Sequence, residues 1–250
     1  GKLLSETKEK IYINKLLNYL DNQAKNALKN GYNFKKFKED CDQMWFKKLK
    51  ERILSFDKDM NDLDQITSIN GIKIPSVHEL IKGIDKYFFL EKCIPCIFHG
   101  DPSPENVIFD EKNNLKLIDP RPIFGKSSLI GDLYYELAKI DHALLVNGKS
   151  IRSNEYSFKI NSFNEAQIWI KELKEFEMFR KRIYEFCREK NWSTTNLSLA
   201  TSLTILSICT VHTNKYYNKF LLLTGKFLLK LSLDKILKKE SIYKPLSLSQ

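Results

Sequence analysis

Between residues 94 and 118 the spacing of apolar residues changes from a helical pattern to short continuous runs. The runs at 96–98, 107–109 and 115–118 have the length and the β-branched or aromatic content of strands. The polar segment 110–114 predicts a turn between the second run and the third. This segment constrains the fold most, because polar side chains follow or interrupt each run and are therefore expected at strand ends.

Helical spacing governs most of the remaining chain. The predicted helices cover residues 6–29, 34–56, a segment that starts after Pro75 and Ser76, 164–190, 196–213 and 215–238. Within 67–74, Asn70 and Gly71 predict a small hairpin, because both residues tolerate the positive φ angles of a tight turn. We therefore expect an α+β fold that is mostly helical and carries a small β-hairpin insert.

Composition narrows the class of protein. With 250 residues the chain can form one large domain or two modest ones, and it contains no run of about 18 apolar residues that could span a membrane. No secretory leader is recognisable, so we expect a cytoplasmic location. The net charge is +10, but the lysines are spread without an arginine-rich block. This distribution favours solvated surfaces over nucleic-acid binding, which stays open as a minor alternative.

Five cysteines are present, and Cys93 and Cys96 have the spacing of a metal or redox motif. No second such pair and no suitably spaced histidine cluster accompanies them, and Pro95 lies in the same short apolar run. We therefore expect buried thiols rather than a zinc site.

The polar residues of the β segment have an order and spacing suited to phosphoryl transfer. His99-Gly100-Asp101 follows the first strand, Asn106 stands five residues after Asp101, and Asp119 stands thirteen residues after Asn106. A carboxylate at Asp101 can accept a hydrogen bond from an attacking hydroxyl group. Asn106 and Asp119 offer the hard oxygen ligands that Mg²⁺ prefers. Single Asp or Asn residues are usually turn formers or helix caps, but three at this spacing beside strands favour the catalytic interpretation.

This pattern is similar to that of the aminoglycoside phosphotransferase and choline kinase group, which has a protein-kinase-like fold. Within the group it most resembles the phosphotransferases of capsular and surface polysaccharide biosynthesis. Strong similarity covers roughly residues 94–142, with weaker similarity at 66–81 and 203–230. The matching residues are His99-Gly100-Asp101, Asn106, Ile118-Asp119-Pro120-Arg121, Gly131-Asp132, Leu137-Ala138-Lys139 and, upstream, Ile69-Asn70-Gly71-Ile72.

The resemblance implies an ATP- and Mg²⁺-dependent transfer to a small-molecule alcohol, with Asp101 as the catalytic base. It further implies that Asn106 and Asp119 hold magnesium. By the same resemblance, His99 and Asp132 support the loop. Arg121 is a candidate contact for phosphate or an anionic substrate, with a salt-bridge role as the alternative.

Some positions depart from the pattern of the group. Glu136 stands where the group usually has Asp, Pro122 where it commonly has Gly, and Pro102 where it has an apolar residue. None of these changes removes a metal ligand or a proton-handling group. Lys139 and His142 lie on an apolar-faced helix, and we expect structural roles for both.

A second, mainly β lobe with a phosphate-covering loop is expected of a kinase fold but is not recognisable here. No two of the nine glycines are separated by a single residue, so the sequence has no Gly-x-Gly loop. Residues 1–250 are therefore interpreted as a kinase-like C-terminal lobe. The catalytic loop and metal segment cover 94–142, and a helical acceptor-side region covers 150–240.

Gly1 in place of a methionine favours a fragment of a longer protein whose N-terminal lobe or upstream domain is its partner. The alternative is a reduced binding or pseudokinase module without transfer activity. The motif does not identify the acceptor, which we expect to be a sugar, an amino alcohol or a polysaccharide precursor. Tyr134, Tyr135 and Trp169 are candidates for its recognition.

Overall fold

The structure of the protein is a computed structural model that describes residues 1–248. Helices make up more than half of it. They pack with three small sheets, so the α+β, mostly helical expectation is confirmed. The helices are α1 (Lys10–Asn30), α2 (Phe34–Asp42), α3 (Lys48–Leu54), α4 (Lys58–Asp64), α5 (Val77–Lys82), α6 (Lys86–Glu91), α7 (Leu133–Leu145), α8 (Gly148–Arg152), α9 (Lys174–Glu189), α10 (Thr194–Ile208) and α11 (Lys215–Leu237). The strands are β1 (Lys2–Leu3), β2 (Ser68–Ile69), β3 (Ile72–Lys73), β4 (Pro95–Ile97), β5 (Val107–Phe109), β6 (Leu115–Leu117), β7 (Ile130–Asp132), β8 (Tyr156–Ile160) and β9 (Glu165–Ile170).

The core is built around α10, which packs against α7 and α11. Every residue from Asn196 to Leu206 of α10 is buried, including its Ser and Thr residues, so this helix lies in the interior of the fold. Helices α10 and α11 approach closely at Gly225, where an added Cβ would lie 2.7 Å from Leu206 Cγ. Among the described residues, none of the helices is both long enough and apolar enough to cross a membrane.

The predicted helix at 34–56 is α2 and α3 joined by one π-helical turn, Gln43–Lys47. Such a turn inserts an extra residue into the helix and is frequent at functional sites. Here it turns Trp45 into the interior, where its indole Nε1 donates to Asp132 Oδ2 at 2.9 Å. The π turn therefore ties the long helical segment to strand β7.

The hairpin predicted at 67–74 is confirmed as β2 and β3. Asn70 and Gly71 have φ angles of 48° and 78°, as a tight turn with two left-handed residues requires. Strand β2 also pairs in parallel with β9, and β8 completes a four-stranded sheet. The Asn70 side chain reinforces this pairing, because it accepts from Ile168 N at 2.8 Å.

The helix predicted over 164–190 is wrong in its first part, because residues 165–170 form strand β9 and α9 begins only at Lys174. Ala166, Ile168 and Ile170 are buried and alternate with exposed residues, which is the period of two of a half-buried strand. The buried apolar residues of helix α9 begin at Phe176.

Residues 94–142, which the sequence predicts to hold the catalytic loop, contribute strands to two sheets. Strands β5 and β6 form the expected hairpin across the 110–114 turn, with β1 on its outer edge. Strand β4 instead pairs antiparallel with β7, so that Pro95 lies opposite Asp132. Residues 1–94 hold six helices and three two-residue strands, and a five-stranded sheet is not found in that part of the described chain.

Candidate active site

The loop that follows β4 requires glycine at position 100. Gly100 has a φ angle of 87°, in the left-handed region that disfavours other residues. An added Cβ would lie 2.4 Å from Phe98 Cζ and 2.7 Å from Arg121 Cβ. Arg121 N also donates to the His99 carbonyl oxygen at 2.8 Å. These contacts hold the loop against the segment that follows β6.

Glu136, on the first turns of α7, supports the loop from its buried side. Its Oε1 accepts from Gly100 N at 2.7 Å, and the carboxylate also accepts from the His99 backbone. Complete burial raises the Glu136 pKa to about 8 even though these hydrogen bonds favour the ionised form. The sequence marked Glu136 only as a departure from a pattern, and its contact with the loop was not predicted.

The Asp101 carboxylate lies between two cations. Its Oδ2 is 2.8 Å from Arg121 Nη2, and its Oδ1 is 3.3 Å from Lys139 Nζ. Burial acts to raise the Asp101 pKa, but the charge of Lys139 and the hydrogen bond and charge of Arg121 outweigh it. The pKa therefore lies below its usual value, and Asp101 is ionised at neutral pH. Arg121 adopts the salt-bridge role considered above, and Lys139, expected to be structural, lies at the site.

Asn106 is fixed at the base of the hairpin, just before β5. Its side-chain Nδ2 donates to the Asp101 carbonyl oxygen at 3.0 Å, and its own carbonyl oxygen accepts from Ile118 N at 3.0 Å. In residues 1–248, no group donates a hydrogen bond to the side-chain oxygen Oδ1 of Asn106. The oxygen that could bind a metal is therefore available.

Asp119 directly follows Ile118, whose backbone N donates to the carbonyl oxygen of Asn106. Its φ angle is 53°, an uncommon left-handed conformation for a residue other than glycine or asparagine. The side chain is 63% exposed, and Oδ2 lies 3.8 Å from Arg121 Nη2. Arg121 Nη2 also lies 2.8 Å from Asp101 Oδ2. The Oδ2 atoms of Asp101 and Asp119 therefore face the same guanidinium nitrogen and lie close to each other. The structure thus places Asp101, Asn106, Asp119 and Arg121 close to one another.

His99 and Asp132 lie at different depths behind the site. His99 Nδ1 accepts from Asp101 N at 3.3 Å, and burial lowers the His99 pKa, so the ring is neutral at neutral pH. Asp132 is buried at the N-terminus of α7, where Oδ1 accepts from Ile94 N at 3.0 Å and from Tyr134 N at 3.2 Å. His99 therefore contacts the loop itself, whereas Asp132 fixes the start of the strand that leads into it.

Cys41, Cys93 and Asp132 place potential ligand atoms within 4.8 Å of one another. Burial raises the pKa of both thiols above that of a free cysteine. The oxygens of Asp132 already accept the hydrogen bonds of the indole and two backbone amides. All five cysteines are buried and unpaired, and for Cys93 and Cys96 this confirms the expectation of buried thiols.

A cavity of about 380 Å³ opens beside the loop, lined in part by Gly100, Arg121 and Lys139. Of the three residues considered for acceptor recognition, Tyr135 lines this cavity. Tyr134 is buried and its hydroxyl accepts from Ser193 N, and Trp169 lines a different depression.

No family model matches this chain, and neither a curated protein nor a solved structure does. Functional assignment therefore depends on the sequence motif and on the geometry of the residues around Asp101.

Proposed function

We propose that this chain carries the catalytic and metal-binding half of an ATP-dependent phosphotransferase that acts on a hydroxyl group of a small molecule. The observation that carries the proposal is the grouping of Asp101, Asn106 and Asp119 around one hairpin, linked through Arg121. The motif supports a kinase-like lobe of the aminoglycoside phosphotransferase and choline kinase type. Its Ile-Asp-Pro-Arg form favours the surface-polysaccharide branch.

Asp101 is suited to orient the hydroxyl of the acceptor. Its lowered pKa makes it a weak base, but phosphoryl transfer through a loose transition state needs positioning more than strong proton abstraction. Both carboxylate oxygens contact cations, so the acceptor hydroxyl would share or replace one of these interactions. Arg121 and Lys139 would in turn stabilise the negative charge of the phosphoryl group.

Asn106 and Asp119 fit a magnesium ion by their chemistry. Asn106 offers an amide oxygen without a hydrogen-bond partner among these contacts, and Asp119 offers an exposed carboxylate with one distant cation. These are hard oxygen donors, and such sites complete the coordination of Mg²⁺ with water and phosphate oxygens. When bound, the ion neutralises phosphate charge.

A binding module without transfer is the second candidate function. Two observations favour it. Residues 1–94 of the described chain contain no five-stranded sheet, and the sequence contains no Gly-x-Gly loop. Thermal unfolding with and without Mg²⁺ and ATP separates the candidates, because a ligand that binds the folded state raises the unfolding temperature. A module that binds no nucleotide predicts no magnesium-dependent rise.

The transfer itself is tested by ³¹P NMR of the chain together with the nucleotide-binding lobe that the proposal requires upstream, in the presence of Mg²⁺, ATP and a panel of hydroxyl compounds. We expect a new phosphate ester signal, reduced at least about 100-fold in rate by Asp101→Asn. Asp119→Ala removes a magnesium ligand and should also abolish the transfer. Asp62→Asn, which changes an exposed carboxylate on α4, is the matched control and should retain transfer. Wild-type rates in both Asp101→Asn and Asp119→Ala would contradict the proposal.

A further inference from the structure

Four cationic side chains line the cavity beside Asp101, namely Lys48, Arg52, Arg121 and Lys139. Arg121 and Lys139 contact the Asp101 carboxylate, which balances part of their charge. Lys48 and Arg52 have no carboxylate within ion-pair distance in residues 1–248. Among the residues that line the described cavity, none is an aspartate or a glutamate. The wall of the cavity therefore carries uncompensated positive charge.

Lys48 and Arg52 are held in this wall by α3, one helical turn apart. The Arg52 guanidinium donates to neutral groups of Ser207, its carbonyl oxygen and its hydroxyl. Lys48 is partly buried and makes no hydrogen bond or ion pair among the described residues. Burial and the nearby charges of Arg52 and Lys139 lower the Lys48 pKa. A partly buried ammonium without a partner is costly unless a ligand supplies the missing charge.

Thr204, on the α10 side of the cavity, provides a second and independent indication of a ligand. Its side chain is 96% buried, as its relative exposure of 4% shows, and Oγ1 has no hydrogen-bond partner in the described structure. Buried hydroxyl groups are nearly always hydrogen-bonded, and an unsatisfied one costs free energy. Thr204 lines the same cavity as Lys48 and Arg52. A ligand with negatively charged oxygen atoms would supply the charge that Lys48 and Arg52 lack and would lie beside Thr204.

We propose that the acceptor is an anionic alcohol, a hydroxyl compound that carries a phosphate or a carboxylate group. Lys48, Arg52 and Thr204 bind the anionic group, and Asp101 orients the hydroxyl. The role of the hydroxyl rests on the function proposed above, whereas the anion site can be tested without activity. A cationic alcohol is disfavoured, because four positive side chains line the cavity and repel it, whereas the nearby carboxylates of Asp101 and Asp119 already face Arg121.

Isothermal titration of the full chain at low salt tests the proposal with four small probes. Glycerol 3-phosphate and glycerate represent the phosphate and carboxylate arms, glycerol is the neutral match and choline the cationic alcohol. We expect at least one anion to bind at least about tenfold more tightly than glycerol and choline. The tighter anion identifies the group that the cavity recognises. Equal affinity for glycerol or choline, or no binding of either anion at millimolar concentration, would overturn the proposal.

Two pairs of variants locate the anion site. Lys48→Met should weaken anion binding about tenfold, whereas Lys50→Met, an exposed lysine on the same helix, should change it less than twofold. Thr204→Val should weaken binding several-fold. Thr224→Val is its control, since Thr224 Oγ1 is also buried without a partner but lies outside the cavity lining. Unchanged affinity in both Lys48→Met and Thr204→Val, with normal circular dichroism, would contradict the assignment.

One further variant separates the two proposals. Asp101→Asn removes the negative charge beside the cavity, so anion affinity should be retained or increased while transfer is lost. Retained transfer would contradict the role of Asp101 without affecting the anion site. Lost anion affinity in this variant would contradict the anion site without affecting the phosphotransferase proposal.

Discussion

The Asp101 carboxylate forms ion pairs with two cations, and each cation contacts a different oxygen atom. Arg121 binds Oδ2 through a guanidinium whose side chain is 54% exposed, whereas Lys139 approaches Oδ1 from the helix behind the loop. The more exposed cation is the one that an entering substrate can displace. At the residue scale, the site therefore consists of a buried carboxylate with one fixed and one accessible partner.

Replacing Arg121 by glutamine should raise the Asp101 pKa toward its ordinary value. The variant removes a charge and a strong hydrogen bond that stabilise the ionised carboxylate, while Lys139 continues to lower the pKa. A pH titration of the Asp101 carboxyl carbon by NMR measures the change. Arg152→Gln, which alters an exposed arginine without an ion pair among the described residues, should leave the pKa unchanged. An unaltered Asp101 pKa in Arg121→Gln would show that the contact is not formed.

Glu136 should make stability depend on pH in the direction opposite to most carboxylates. Its folded-state pKa is about 8, above the ordinary value of 4.5, so the folded state retains a proton that the unfolded state has lost. The stabilising effect is complete below the unfolded-state pKa and is lost as the pH rises through 8. Glu136→Gln keeps the acceptor for Gly100 N but cannot ionise.

The difference in unfolding free energy between Glu136→Gln and the wild type should therefore increase from pH 4.5 to pH 8, the interval between the two pKa values. The gain should reach roughly 2 to 5 kcal/mol. Urea unfolding at a series of pH values measures it. Glu111→Gln, at the exposed tip of the hairpin, should show no such increase. A difference that does not vary with pH would mean that Glu136 is ionised in the folded state.

At the scale of elements, the position of the site depends on how β4, β6 and α7 meet. Strand β4 is followed by the left-handed Gly100, which is packed between Phe98 and Arg121. The backbone amide of this glycine binds Glu136 of α7. A side chain at position 100 would disturb both the strand end and the helix contact.

Gly100→Ala should destabilise the protein more than Gly71→Ala, although both glycines have positive φ angles. Gly71 has no atom within 4 Å of an added Cβ, so the change there costs only the backbone strain, about 1 to 2 kcal/mol. At Gly100 steric overlap adds to this strain, for a total of roughly 2 to 5 kcal/mol. Chemical denaturation of the two variants measures the difference. Equal losses would mean that the close packing around Gly100 relaxes without cost.

The sequence predicted those elements whose signals are local. The Asn70-Gly71 turn, the helix that follows Ser76 and the β5–β6 hairpin depend on neighbouring residues and lie where expected. The strand at 165–170 was not predicted, because its short alternating pattern precedes a strongly amphipathic helix and was read as part of it. The pairing of β4 with β7 is a tertiary contact, and the local pattern does not encode it.

The same distinction applies to the candidate site. Asn106 and Asp119 flank the β5–β6 hairpin and Asp101 lies five residues before Asn106, so their spacing in the sequence is informative. Glu136 and Lys139 reach the site from α7, and Lys48 and Thr204 reach the cavity from α3 and α10. Their roles depend on how distant segments pack, and a charged or polar residue on an amphipathic helix carries no local signal of such a contact.

At the scale of the whole molecule, part of the excess positive charge is concentrated at one cavity. The net charge is +10, and four of the cationic side chains converge on the cavity beside Asp101. A field of this sign attracts phosphate-bearing ligands in general, including nucleotides. Binding to arbitrary oligonucleotides that falls steeply with salt would support the nucleic-acid alternative. The anionic-alcohol proposal instead predicts saturable binding of small anions that depends on Lys48.

The central claim is that Asn106 and Asp119 form one metal site beside Asp101, and Mn²⁺ in place of Mg²⁺ tests it most directly. The measurement needs neither an acceptor nor a nucleotide, because paramagnetic Mn²⁺ broadens the NMR signals of nearby nuclei. We expect the side-chain amide of Asn106 and the backbone amide of Asp119 to broaden first, with reversal by excess Mg²⁺ and loss of the effect in Asp119→Ala. Sharp signals from both residues while other carboxylates bind Mn²⁺ would contradict the account.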